Sequence, residues 1–204
     1  MNKNALLIFL PVLASLWFLI TVIWGGSIYG NYSHISQFIS ELGATGSPIS
    51  VYVNYFGFIP TQLFILIFIF LSAIKIPKTK PNIIGLILLC VYTLSLTVAA
   101  IFPCDFECRP QTATISHKIH ILSAIPAYLS GAFAILILSL GLKEWAVSKT
   151  FKNIGLVLAA VILICLVNLD DSSKSVGLVQ RLLEASIFFW LILFAIHVKT
   201  YLKS

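Results

Sequence analysis

The chain has 204 residues, 59% of them apolar and only 10% charged, with a formal net charge of +6. Soluble domains are about 25% charged and about 45–50% apolar, so this composition, with a mean hydropathy of +1.03, excludes a soluble domain. It also excludes a transmembrane β-barrel, whose strands alternate apolar and polar residues.

Each spanning helix needs about 20 mostly apolar residues. Six runs qualify: Ala5–Trp24, Ile49–Ile74, Pro81–Phe102, Ala113–Leu142, Phe151–Leu169 and Val176–Tyr201. They predict an all-α polytopic membrane protein, a single six-helix transmembrane domain over 1–204. The first run exceeds the 7–15 residues of a signal-peptide core and no small-residue cleavage site follows it, so it is expected to stay as a span.

Between the first two spans lies NYSHISQFISELGATGSP, residues 31–48. Ile35, Phe38, Ile39 and Leu42 recur at i, i+3, i+4 and i+7, one apolar stripe of a helix. His34, Gln37 and Glu41 share another face, beside Ser36 and Ser40. Ser33 can cap its start; Gly43, Gly46 and Pro48 can end it and turn the chain. The expectation is a short amphipathic helix of about three turns in the first outer loop, too short to cross a bilayer.

The next polar segment is FPCDFECRP, residues 102–110. In an oxidising compartment Cys104 and Cys108 are expected to form a disulfide, holding Asp105 and Arg109 above the membrane. Cys90 and Cys165 lie in apolar runs and read as packing residues. SHKIH, residues 116–120, opens the fourth span with His117 and His120 on one helix face, and Pro126 is expected to kink the helix further in. Asn168, Asp170 and Asp171 close the fifth span. VQRLLEAS, residues 179–186, opens the sixth, with Gln180 and Glu184 on one face and Arg181 beside them. A carboxylate inside an apolar run must pair or titrate, and Arg181, a histidine or a metal are the candidate partners.

Lysine placement sets the orientation. Lys3, Lys75, Lys78, Lys80, Lys143, Lys149, Lys152, Lys199 and Lys203 fall on one side, and only Arg109, Lys118, Lys174 and Arg181 on the other. Positive charge stays in the cytoplasm, so both termini are expected there, in a bacterial inner or plasma membrane. The basic charge follows topology and does not point to nucleic acid. Most acids, both arginines and His34, His117 and His120 then gather at the outer face.

The run SHISQFISELGATGSP with Asn54 and Gly57, then FPCDFEC, then a histidine opening the next span, resembles the bacterial and archaeal membrane family catalogued as domain of unknown function 998. The likeness covers nearly the whole chain, and that family brings no settled activity. The ISELG…P pattern is more distantly similar to the DRAM/Sfk group and the glycolipid-anchor-remodelling proteins, which implies lipid handling.

Two functions follow as expectations. One is an outer-leaflet enzyme, a metal-assisted hydrolase or transferase of a lipid or lipid-linked substrate. Its catalytic candidates are His34, His117, His120, Glu184 and Asp105. Ser36, Gln37, Glu41, Arg109, Gln180 and Arg181 would bind substrate, and His34, His117 and His120 would hold zinc. The other is a non-catalytic lipid-binding, transport or scaffold protein using the same pocket. A haem protein ranks lower, because His117 and His120 share one helix and His197 lies at the opposite surface.

Overall fold

A computed structural model describes residues 3–141 and 149–202. Leu142, Lys143 and Lys203, used in the expectations above, lie outside the described residues. Six helices are long and apolar enough to cross a membrane, which fits an integral membrane protein. They are α1 (Lys3–Ile28), α2 (Ile59–Lys75), α3 (Lys80–Ile101), α4 (Ile115–Leu140), α5 (Lys149–Val167) and α6 (Val176–Tyr201). A π-helix, Tyr52–Phe58, runs straight into α2, so the second span starts at Tyr52.

Helix is what lipid demands, since every backbone polar group in hydrocarbon must be satisfied within its own segment. The ends follow local chemistry. Thr79 and Thr114 accept at their side chains from the Asn82 and His117 N–H groups and so start α3 and α4. Helix α4 continues through Pro126. Helix α6 is the most enclosed span, packed between α1 and α5 and touching α2 and α4. Its Trp190 and Phe194 are fully buried and stack, centroids 4.9 Å apart. Around them Phe68, Tyr92, Leu89, Ile135 and Ile162 complete the core.

At one end, here called the disulfide end, Cys104 and Cys108 are bonded. Residues 29–48 fold back over the helices there as a cap. The cap is not the expected amphipathic α-helix. Residues 34–37 form a turn, and a 3-10 helix spans Ile39–Gly43. Phe38, at φ −59° and ψ 148°, separates the two. The cause is that side chains take over the backbone donors. Gln37 Oε1 accepts from the Ser33 N–H at 2.7 Å, and Glu41 Oε1 from the Phe38 N–H at 2.9 Å. The expected apolar stripe divides accordingly: Ile39 and Leu42 are buried with Val22, Ile49 and Val53, whereas Ile35 is exposed. Gly46, at φ 88°, turns the chain towards the second span.

Candidate functional site

Two arginines fasten the cap. Arg109 Nη1 pairs with Glu41 Oε1 at 3.0 Å, and that carboxylate is fully buried. The same guanidinium donates to the Ser36 and Asp171 carbonyls and lies over the Phe38 ring. Gln37 Nε2 donates to Glu41 Oε2 at 2.8 Å. Arg181, on the first turns of α6, donates to the Gln37 carbonyl at 3.2 Å and the Tyr32 hydroxyl at 2.7 Å. Its Nη2 also lies 2.9 Å from His34 Nδ1. A guanidinium only donates, so Nδ1 accepts and the ring proton of neutral His34 sits on Nε2. Burial, and then the Arg181 charge, hold His34 below the usual histidine range.

Asp105 and His117 shape the disulfide loop. Asp105 accepts from the Thr114 hydroxyl at 2.6 Å and the Thr114 N–H at 2.9 Å. These bonds, with the nearby His117, lower the Asp105 carboxyl below the usual range. His117 Nδ1 accepts from the Asp105 N–H at 3.2 Å. The Cys104 carbonyl accepts from the Thr45 N–H at 2.8 Å, tying this loop to the cap.

Beneath the cap, among the helices, lies a cavity of about 70 Å³. Its polar wall comes from Asn54 on the π-helix, Gln62 on α2, His120 and Tyr128 on α4, and Gln180 and Glu184 on α6. A hydrogen-bonded chain runs along it. The Ile39 N–H donates to Gln180 Oε1 at 2.7 Å, and Gln180 Nε2 donates to the Tyr128 hydroxyl at 3.3 Å. Tyr128 donates to Glu184 Oε1 at 2.7 Å, and Tyr92 to Glu184 Oε2 at 3.3 Å. The partners of Glu184 are therefore tyrosines. The expected Arg181 is engaged by the cap instead. A second, shallower pocket of about 270 Å³ opens at the disulfide end, lined by Phe38, Cys108, His117, Asp170 and Asp171. Ser40 and His120 line both spaces and stand between them.

The expected residues therefore separate. Glu184, Gln180 and His120 meet at the inner cavity, and His117 joins His120 only at the outer pocket. His34 lines neither. The side chains of Gln37, Glu41, Arg109 and Arg181 fasten the cap, and Ser36 joins them through its carbonyl. The expected zinc set does not form: among the described residues no group of three or more His, Cys, Asp or Glu side chains is placed to hold a metal. Each of the three imidazoles has a different partner. Asn54, Gln62, Tyr92 and Tyr128 were not among the expected site residues. Asn54 and Gln62 carried a signal, as amides within an apolar run.

This arrangement defines an all-α membrane protein with a polar cavity at span depth, closed over by a cap. The chain belongs to the family described as "Protein of unknown function (DUF998)", whose model matches residues 12–197. No curated protein matches it and no solved structure does either, so the more distant likeness to the DRAM/Sfk and anchor-remodelling groups is not confirmed.

Proposed function

We propose that this protein binds a membrane lipid or lipid-linked molecule at the disulfide end and seats its polar group in the cavity under the cap. The lysine distribution supports an orientation with that end outside the cytoplasm. One observation carries the reading: Glu184, buried within a span, has tyrosine hydroxyls as its partners and no paired cation among the described residues. Ionisable groups at membrane depth are costly and mark ligand sites and pathways. The cavity gives this one something to face.

A second reading, a hydrolase or transferase of the same lipid, is favoured by His120 and Glu184 lining one cavity. An imidazole and a carboxyl are the usual pair for general acid–base chemistry.

The experiment is lipid analysis of protein purified in mild detergent. The wild type is expected to retain lipid in near-stoichiometric amount. Glu184→Gln, which keeps the shape and can still accept from Tyr128, is expected to retain severalfold less while staying folded. Equal retention by both would refute the assignment of the site. Conversion of the retained lipid on incubation, lost in His120→Ala, would favour the second reading.

A further inference from the structure

Much of the inner cavity's wall spends its hydrogen-bond donors within the protein and leaves acceptors. Asn54 Nδ2 donates to the Gly43 carbonyl at 2.8 Å and to Ser50 Oγ at 3.3 Å. A carbonyl only accepts, which fixes the amide with Oδ1 as its free acceptor. His120 Nδ1 lies 2.8 Å from the Ala99 carbonyl and 3.2 Å from the Phe102 carbonyl. By the same rule Nδ1 carries the proton, and Nε2 of the neutral ring is an acceptor. Both hydroxyl protons of Tyr92 and Tyr128 go to Glu184, and Gln180 is engaged at both ends of its amide. Gln62, nine-tenths buried, has an Oε1 with no partner among the described residues.

Charge points the same way. Glu184 has no paired cation among the described residues, and both arginines of this end are committed to the cap. A phosphate or carboxylate would bring more acceptors and more negative charge. The cavity, of about 70 Å³, has room for a small polar group.

We propose that the group seated among Asn54, Gln62, His120 and Glu184 is a primary ammonium, borne by an aminolipid head group. This rests on the reading that the cavity holds the polar part of a lipid. The N–H bonds satisfy the acceptors, and the positive charge answers Glu184.

Protein stripped of lipid is titrated, under native mass spectrometry, with phosphatidylethanolamine, phosphatidylglycerol and phosphatidylcholine of matched acyl chains. Phosphatidylethanolamine is expected to bind roughly tenfold more tightly than either, the size of one charge-assisted hydrogen bond. The choline of phosphatidylcholine carries a positive charge but no N–H, so this lipid separates donation from charge. Glu184→Gln and Gln62→Leu are each expected to bring the ratios towards one. Gln62→Leu removes a buried amide oxygen without a partner, so it is expected to melt no lower than wild type and keeps the test valid if Glu184→Gln unfolds. Competition by free ethanolamine would support recognition of the amine alone; competition by the lipid only would support the lipid-borne amine. Failure to retain any of the lipids would overturn the lipid-binding reading itself. Equal binding of the three lipids, or a preference that neither variant lowers, would overturn this inference and leave that reading standing.

Discussion

The buried carboxylate of Glu41 is held by three donors: Arg109, Gln37 Nε2 and the Phe38 N–H. Burying one charge without partners would cost several kcal/mol, so these contacts decide where the cap can sit. His34 is the titratable counterpart at the other arginine. Its folded pKa lies below the ordinary value of 6.5, through burial and through Arg181. The unfolded chain therefore binds protons more readily than the folded one at this site. Stability then rises with pH through that window and falls as pH drops below about 6.5. The contribution of His34 is fully present above its unfolded pKa. The Tyr32 hydroxyl, bonded to the same Nη2, does not titrate there. The melting temperature in detergent is expected to fall between about pH 7 and pH 5.5, and His34→Gln is expected to flatten that part of the curve. An identical slope in the variant would assign the pH dependence to other groups.

At the scale of elements, the cap is where the sequence pattern and the structure part. The i, i+3, i+4, i+7 stripe over Ile35–Leu42 predicts a helix, but periodicity records only which residues are apolar. It does not register that Gln37 and Glu41 can satisfy the Ser33 and Phe38 N–H groups themselves. The spans were legible because hydrocarbon leaves the backbone one solution. The disulfide was legible from two cysteines in one short polar loop. The cavity was legible only in part. Glu184, Gln180 and His120 stood out, whereas Tyr92 and Tyr128 count towards an apolar run and show their hydroxyls only once packed against α6. Among the described residues the three histidines are not gathered to hold a metal; helix-face spacing shows which residues share a face, not what each ring already bonds.

Helix α6 meets the cap with almost no clearance. The Leu178 N–H donates to the Ile35 carbonyl at 3.0 Å. A Cβ on Gly177 would run into the Gln37 carbonyl and lie 2.9 Å from those of His34 and Ile35. These are backbone atoms and cannot rotate away, so Gly177→Ala must lift the cap. The expected cost is about 1–3 kcal/mol, typical of overpacking, seen as a lower melting temperature. Gly30→Ala is the control, because nothing lies within 4 Å of a Cβ there. Equal melting of the two variants would mean that the cap does not seat on α6 as described.

Over the whole molecule, chemistry is segregated by end. The cap, the disulfide loop, the Asp170–Asp171 segment and both cavities of the site lie together at one end. The linker between α2 and α3 carries Lys78 and lies at the other, flanked by Lys75 and Lys80 on the helix ends. The fold makes the two ends different, and the lysines argue for the one that faces the cytoplasm. Residues 78 and 173 lie in the connections after the second and fifth spans, so an odd number of crossings separates them. Single cysteines introduced at these positions, with the native free thiols Cys90 and Cys165 replaced by serine, should therefore react from opposite sides of the membrane. The position at 173 is expected to label in intact cells with an impermeant reagent, and the one at 78 only after permeabilisation. Labelling of both from one side would break the six-span count. Labelling at 78 alone in intact cells would keep the fold and invert it, moving the capped cavity and its lipid to the cytoplasmic leaflet.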